Sequence, residues 1–300
     1  MPHVYEPFRE YLIQLGRSER TIAGYLIDIN TFACWFEQTN GYSLTPDNLT
    51  PTDVREYRQF LLNVRKAKAS TINRHLAVLR AYGLWAKTCS GIPYNPVEGI
   101  KSIAQQKHAP KWLDRREQAA VLREAERHVQ TARTEPAKRQ AIRDHCILVT
   151  LLNTGLRVSE LIDLELSDIT MTDRKGELLV RAGKGTKQRV IPLNNTARKA
   201  LKAWLDVRPE STLQKVFTTQ RGAITSRAVQ TLLADIGERA RIQKMTPHMA
   251  RHTFAKNLVN SGVTLEKVAM LLGHTSLDTT MVYTTPGMSD LDQAVRVLDG

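Results

Sequence analysis

The chain has 300 residues, 42% of them hydrophobic, and a formal net charge of +13, which together exclude a disordered chain and favour an anionic partner, with nucleic acid first. Three scattered cysteines, none in a CxxC pair, exclude a disulfide framework and a zinc knuckle. The sequence has no signal-peptide pattern and no run of about 18 apolar residues, so we expect a cytoplasmic protein that does not bind a membrane.

The first third of the chain predicts a bundle of four helices, because apolar residues recur every three or four positions between stop signals. The first helix ends at Gly16 and the second runs over residues 21–38. The third opens with Thr50 as N-cap and Pro51 at its first position, and the fourth begins at Ser70.

Positive charge is concentrated in the third and fourth of these helices. Seven Lys or Arg residues and one acidic residue lie between positions 55 and 80. A solvated surface explains an isolated basic helix, but here the excess accompanies a basic chain, so we expect contacts with phosphates. The residues expected to make them are Arg58, Arg65, Lys66, Lys68, Arg74 and Arg80.

A linker is predicted where prolines and glycines interrupt the helical periodicity between positions 93 and 110. A new helix then begins with Asp114 as N-cap. Lys111, at the end of the linker, is a further candidate DNA contact. We expect an N-terminal domain, a linker and a C-terminal domain over residues 1–104, 105–112 and 113–300.

The second domain is predicted to be mostly helical with one small β element, which makes the whole chain mainly α, of the α+β class. Residues 177–182 and 188–193 are β-type segments around a Gly-Lys-Gly turn, as in an antiparallel hairpin. The helices are expected at 139–153, 157–165, 195–206, 225–241, 247–260 and 264–272.

Unusual polar residues stand in four stretches of the second domain, and each has an ordinary explanation when taken alone. Arg157 and Glu160 are one helical turn apart, as in a surface ion pair. Lys184 lies between two glycines, as in a solvated turn. His274 follows a Leu-Leu-Gly helix ending, and Tyr283, nine residues later, would fit a small core.

The fourth stretch begins a helix, with Thr246 as N-cap and Pro247 at the first position. His248 and Arg251 share one face of its first turn, where free N–H groups already favour an anion. His248 and His252 also have a spacing seen in metal sites. Because no HExxH glutamate and no third ligand accompany them, we expect no metal.

In their order along the chain, these polar positions resemble the active-site signature of the tyrosine recombinases, the phage integrase family that includes the Xer proteins. The resemblance rests on TGLRVSEL, GKGTKQRVIPL, TPHMARHTFA and LLGHTSLDTTMVY, and the helical first third is similar to the family's core-binding domain. It implies six catalytic residues: Arg157, Lys184, His248, Arg251, His274 and Tyr283. It also implies a 3′-phosphotyrosyl intermediate, Holliday junctions and strand exchange without metal, ATP or a cofactor.

The chemistry of these residues suits the cleavage of a phosphodiester. Two arginines can hold the nonbridging oxygens bidentately, and two histidines add hydrogen bonds. Tyrosine, with a pKa of about 10, becomes a nucleophile when neighbouring cations stabilise its phenolate. The family implies that Lys184 protonates the departing 5′ oxygen, and we expect Glu160 to orient Arg157 or a histidine.

The expected assembly is a homotetramer on two double-stranded recombination sites, with or without a second recombinase or an accessory protein, in which each chain clamps the duplex. Arg227 and Gln230 are expected to read bases in the major groove. The last segment, SDLDQAVRVLDG, predicts an amphipathic helix that docks either on its own domain or in a neighbouring protomer.

Three alternatives stay open at this point. A type IB topoisomerase or a telomere resolvase uses the same chemistry and differs in its product. A DNA-binding relative could lack catalysis, although all six positions are present here. A metal hydrolase would be sensitive to chelators. The biological task is equally open between dimer resolution, transposon resolution and integration.

Overall fold

The computed structural model describes residues 5–105, 110–182, 188–274, 276, 278–284 and 295. The chain forms two compact units, Met1–His108 and Ala109–Gly300. The division lies within the predicted linker over 105–112, of which residues 106–109 are outside the described ranges. The domain limits given above therefore stay a prediction.

Within residues 5–105, the first unit contains four α-helices, as predicted. Thr50 caps the third of them, because its hydroxyl accepts the N–H of Asp53 while the Asp53 carboxylate accepts the N–H of Thr50 at 2.9 Å. The helices are α1 (Glu6–Gln14), α2 (Glu19–Asn40), α3 (Pro51–Gln59) and α4 (Ala69–Cys89), with a 3-10 turn at Pro46–Asn48 and a π-helical turn at Phe60–Val64.

Aromatic rings make up much of the core of this unit. Phe8 of α1 meets Tyr82 of α4 edge to face, with 5.4 Å between the ring centroids. Phe32 of α2 meets Tyr57 of α3 in the same way at 4.9 Å. All four rings are buried, and each such pair adds about 0.5–1.5 kcal/mol to the burial of its surface. These contacts join α1 to α4 and α2 to α3.

The second unit is mostly helical, and its helices follow the predicted order. In the described part of the chain they are α5 (Arg115–Thr131), α6 (Glu135–Thr154), α7 (Val158–Asp163), α8 (Asn195–Val207), α9 (Ser226–Arg239), α10 (Pro247–Asn260), α11 (Leu265–Leu272) and α12 (Asp278–Met281). Helix α6 begins four residues before its predicted start, because the Thr134 hydroxyl caps it and Pro136 lies in its first turn.

The β structure is larger than the predicted hairpin. Strands β2 (Gly176–Val180) and β3 (Arg189–Pro192) pair antiparallel as expected, with Leu178 opposite Ile191. A third strand, β1 (Ile169–Met171), pairs with the other edge of β2, so the predicted small antiparallel hairpin or sheet is a sheet of three strands. Strands β4 (Thr218–Thr219) and β5 (Gly222–Ala223) form a separate small pair. Runs of two or three residues are too short to show strand periodicity.

Helix α6 runs through the core of the second unit, where Ile147, Leu148 and Leu151 are fully buried. Two glycines in the left-handed region end helices beside this core: Gly155 follows α6 with φ of 62°, and Gly273 follows α11 with φ of 65°. The turns that they form lead directly into Arg157 and His274. None of the helices in the described ranges is both long and apolar enough to span a lipid bilayer.

Candidate active site

Five of the six predicted catalytic residues lie in the described part of the second unit. Lys184, together with the rest of residues 183–187, lies outside it. The other five occupy helix ends and turns: Arg157 before α7, His248 and Arg251 in the first two turns of α10, His274 after α11 and Tyr283 after α12.

Glu160 organises the first arginine. Its Oε1 accepts a hydrogen bond from Arg157 Nη1 at 2.8 Å, and its Oε2 accepts the Arg157 backbone N–H at 2.8 Å. A second guanidinium nitrogen, Nη2, donates to the carbonyl of Gly273 at 3.3 Å. These bonds hold the Arg157 guanidinium beside Glu160, while about a third of the Arg157 side chain faces solvent.

Arg189, the first residue of β3, belongs to the same cluster, and the sequence analysis missed it. Its Nη1 and Nη2 donate to the two carboxylate oxygens of Glu160 at 3.0 and 2.8 Å, and its Nε donates to the carbonyl of Leu271 at 2.8 Å. This side chain is 9% exposed. It joins the sheet to α7 and to the end of α11. The bond to Leu271 therefore helps to fix the position of Gly273 and His274, which follow directly.

The arginines keep the Glu160 carboxylate ionised. Burial raises the pKa of Glu160, but the hydrogen bonds from Arg189 and Arg157 outweigh burial and leave that pKa below its ordinary value. Arg251 Nη1 lies 4.0 Å from Glu160 Oε2. Three guanidinium groups therefore share one carboxylate, which leaves two positive charges uncompensated among these four side chains.

Arg251 is almost fully buried and fixed at both ends of its guanidinium. Nη1 donates to the carbonyl of Gly155 and Nη2 to the carbonyl of Leu272, each at 2.7 Å. Burial, with help from the nearby charge of Arg157, lowers the pKa of Arg251 to about 10, so the group stays charged at neutral pH. A charged group held in place by neutral carbonyls is preorganised to bind an anion.

His248 is exposed in the first turn of α10. Thr246 caps this helix, because its hydroxyl accepts the N–H of Met249 at 3.2 Å. The structure confirms the predicted helix start at Pro247. His248 and Arg251 thus lie one turn apart at a helix N-terminus, where the helix dipole adds to the attraction for an anion.

Tyr283 packs in a small apolar core and also makes a polar contact through its hydroxyl. Only 2% of the residue is exposed, and its ring belongs to a buried cluster with Phe254 and Leu272. Its hydroxyl lies 2.7 Å from Nδ1 of His252. Burial raises the pKa of the Tyr283 hydroxyl, and the charges of Arg251 and Arg157 act against that rise.

His274 also lies beside Tyr283. The two rings are nearly parallel, with 6.5 Å between their centroids. Thr280 links them, because its hydroxyl lies 2.8 Å from His274 Nδ1 and its carbonyl accepts the Tyr283 N–H at 3.0 Å. Burial and the charge of Arg251 lower the pKa of His274 to about 4, so its ring is neutral at physiological pH.

His252 is the second residue that the sequence analysis missed, since it considered this histidine only as a metal ligand. The ring lies one turn after His248 on α10, with 6.4 Å between the two centroids, and 5.5 Å from the ring of Tyr283. Within the described ranges, no group of three His, Cys, Asp or Glu side chains is placed to hold a metal ion.

Three of the basic residues predicted to touch DNA bind other parts of the first unit. Arg58 donates to the carbonyl of Lys101 at 3.1 Å, and Arg80 donates to the carbonyl of Ile100 at 2.6 Å. Arg74 pairs with the buried Asp28. These guanidinium groups therefore hold the end of the unit and the α2–α4 contact in the DNA-free protein.

The other candidate DNA contacts face solvent. Arg65 lies over the ring of Phe60, with its Cζ 5.6 Å from the centroid. The two candidates on α9 are three residues apart, so they share one face of that helix. The exposed set is Arg65, Lys66, Lys68, Lys111, Arg227 and Gln230.

Comparisons with known proteins match both units to phage integrase domains. The model of the phage integrase family matches residues 120–289, and the model of the phage integrase N-terminal SAM-like domain matches residues 4–85. A tyrosine recombinase XerC from Corynebacterium glutamicum is 34% identical over 284 residues, which cover 93% of this chain and 86% of the relative. The XerC of Haemophilus ducreyi is 35% identical over 220 residues, with 72% and 68% covered.

Solved structures share the fold across nearly the whole chain. The XerH site-specific recombinase bound to its palindromic difH substrate, in a post-cleavage complex, gives a TM-score of 0.75 at 21% identity and covers 93% of this chain and 80% of XerH. The Tn1549 transposon integrase in complex with circular intermediate DNA gives 0.72 at 18% identity, with 97% and 98% covered. At these identities the likeness concerns the fold.

Proposed function

The chain belongs to the phage integrase family and is a site-specific tyrosine recombinase of the Xer type, and from this premise we propose that it cuts and rejoins duplex DNA through a 3′-phosphotyrosyl link to Tyr283. The observation that supports this proposal is the Tyr283 hydroxyl, which lies 2.7 Å from His252 Nδ1 and on whose ionisation the positive charges of Arg251 and Arg157 act. That arrangement combines a nucleophile with the cations that its reaction requires.

In the proposed reaction, Arg157 and Arg251 hold the nonbridging oxygens of the scissile phosphate. Both guanidinium groups are fixed beforehand, the first by Glu160 and the second by two backbone carbonyls. His248 and His274 add hydrogen bonds to the same oxygens. Charge that builds up on the pentavalent phosphorus centre thus meets donors that need no further rearrangement.

Access to the nucleophile depends on DNA. Because only 2% of Tyr283 is exposed, the binding of DNA must open a path from the phosphate to its hydroxyl. We therefore expect cleavage to begin after the site is bound. The attack joins Tyr283 Oη to phosphorus and releases the 5′ oxygen, and the covalent bond retains the energy for rejoining without ATP.

Replacing Lys184 by alanine is expected to slow cleavage by about 100-fold or more, because the departing 5′ oxygen then lacks its general acid. A substrate with sulfur in place of the bridging 5′ oxygen needs no acid, since a thiolate is a better leaving group. Single-turnover cleavage of both substrates measures the effect, and the exposed Lys175→Ala variant in the β1–β2 turn is the control. A sulfur substrate that the Lys184→Ala protein cuts just as slowly would remove Lys184 from this role.

Phosphate contacts in the first unit are expected to give binding its dependence on salt. Changing Lys66 and Lys68 to alanine together should lower the slope of log affinity against log salt by about 2, one for each lost phosphate contact. Titrations of fluorescent duplex DNA at several salt concentrations measure that slope. The double variant Lys199→Ala/Lys202→Ala on α8 is the control, and equal slopes for the two variants would contradict the assignment.

The proposed assembly is a tetramer that joins two DNA sites, and a second recombinase or an accessory protein is compatible with it. Its substrate can be identified by sequencing the DNA that becomes covalently attached to the protein in cells. The account predicts one recurrent sequence, cut at one position of each strand and absent from cells with the Tyr283→Phe variant. Adducts spread without sequence preference would contradict a site-specific recombinase and favour a topoisomerase.

A further inference from the structure

The hydroxyl of Tyr283 has a defined neighbour that the roles above leave unused. His252 Nδ1 lies 2.7 Å from Tyr283 Oη. Burial, together with His248 and Arg251, lowers the pKa of His252 to about 4, so this imidazole is neutral at physiological pH. Burial raises the pKa of Tyr283, so the hydroxyl keeps its proton. The pair is therefore a neutral phenol that donates to an unprotonated Nδ1, with the ring proton of His252 on Nε2.

We propose that His252 accepts the proton of Tyr283 when the tyrosine attacks the DNA phosphate, a step that rests on the proposed function. As Tyr283 Oη bonds to phosphorus, its proton moves to His252 Nδ1. The bond from phosphorus to O5′ breaks, and O5′ takes a proton from a separate acid. On rejoining, the 5′ hydroxyl returns its proton to that acid as its oxygen bonds to phosphorus, the bond from phosphorus to Tyr283 Oη breaks, and His252 gives its proton back to the tyrosine oxygen.

The other candidate bases near Tyr283 are less suited to this step. His274 Nδ1 is 2.8 Å from the hydroxyl of Thr280, and the His274 ring lies parallel to the tyrosine ring at 6.5 Å rather than at its hydroxyl. Both carboxylate oxygens of Glu160 accept hydrogen bonds from arginines. A general base must lie within hydrogen-bond reach of the proton that it removes, and His252 meets this condition.

The charges around His252 explain why the proton moves only during attack. His248, Arg251 and Lys256 lie on its own helix, and Tyr283 and His274 face it from the segment after α11. In the DNA-free chain this positive surrounding opposes a second proton on the imidazole. A bound phosphate adds negative charge beside Arg251, and the phenol becomes strongly acidic as its oxygen bonds to phosphorus. Both changes favour transfer at that moment.

The variant His252→Asn tests the proposal, because an amide oxygen can accept the tyrosine hydrogen bond but does not act as a base near neutral pH. The probe is a nicked suicide duplex that carries the sequence recovered from the cellular adducts. We expect cleavage about 100-fold slower than in the unaltered protein, and a rate that rises steadily between about pH 6 and 9 as the ionised fraction of Tyr283 grows. His128→Asn on α5 is the matched control and should cleave normally.

A second experiment distinguishes proton transfer to His252 from a merely structural role of this residue. Fluorinated tyrosine placed at position 283 has a more acidic hydroxyl and needs less help from a base. It should restore most of the cleavage rate of the His252→Asn protein, while it changes the rate of the otherwise unaltered protein little. His252→Gln provides the same comparison if the asparagine variant folds poorly.

Two results would overturn the inference while leaving the proposed function intact. One is normal cleavage by His252→Asn, and the other is slow cleavage that fluorination at position 283 fails to improve in either variant. Absence of any adduct with the unaltered protein would instead overturn the proposed function itself, and the inference with it.

Discussion

A protein with Tyr283 changed to phenylalanine is expected to form no covalent DNA adduct while it binds its site almost as well as the unaltered protein. The change removes only the hydroxyl, which is the nucleophile in this account. The ring stays in its cluster with Phe254 and Leu272, and the lost hydrogen bond to His252 costs about 1 kcal/mol of folding stability. Suicide duplexes analysed on denaturing gels measure the adduct, and gel shifts measure binding.

The matched control is Tyr94→Phe, since Tyr94 is about half exposed and belongs to the other unit. It should form adducts at the normal rate. Adduct formation at an undiminished yield by Tyr283→Phe would show that another side chain is the nucleophile. Loss of binding together with the adduct would show that the tyrosine acts through the fold rather than through its oxygen.

Changing Arg251 to lysine is expected to lower the cleavage rate by about 100- to 1,000-fold, which is the size of effect seen when one preorganised donor to an oxyanion is removed. Lysine keeps the positive charge but loses the planar fork that bonds the carbonyls of Gly155 and Leu272 and that can hold two phosphate oxygens. Single-turnover rates at saturating DNA separate this loss from weaker binding.

Because Arg251 is buried, the same variant should also be less stable, and thermal unfolding of the DNA-free protein shows by how much. The exposed Arg123→Lys variant on α5 is the control for a conservative change of charge type. A folded Arg251→Lys protein that cleaves at the normal rate would contradict the phosphate-binding role. A rate that falls only where the protein unfolds would point to a structural role alone.

Local sequence signals predicted the elements that carry the site. Thr246 and Pro247 gave the start of α10, and the structure places its bounds where they were expected. Gly273 was predicted to end a helix, and both it and Gly155, which ends α6, adopt the left-handed conformation that glycine favours. Such signals work because capping and turn formation depend on residues within four positions of each other.

Long-range contacts explain what the sequence could not show. Arg189 and Glu160 are 29 positions apart, and His252 and Tyr283 are 31 positions apart, so no spacing rule joins either pair. Both contacts arise because the fold brings β3 to α7 and brings the segment after α11 to α10. Arg74 shows the reverse case, since the sequence marked it as a free cation and the fold pairs it with Asp28.

The burial of Tyr283 unites two explanations that were alternatives at the level of sequence. The residue is core, because Phe254 and Leu272 enclose its ring. It is also positioned for chemistry, because its oxygen meets His252 while Arg251 and Arg157 act on its ionisation. A side chain that packs in this way holds its reactive oxygen in one place, which favours reaction once a phosphate arrives.

Identification of the residue and the DNA end joined in the trapped complex tests the central claim most directly. Digestion with trypsin should release the peptide from Val268 to Arg296, in which Tyr283 is the only tyrosine. After nuclease treatment, fragmentation by mass spectrometry should place a nucleotide on Tyr283, linked through its 3′ phosphate. A nucleotide on any other residue, or a link to a 5′ end, would contradict the account.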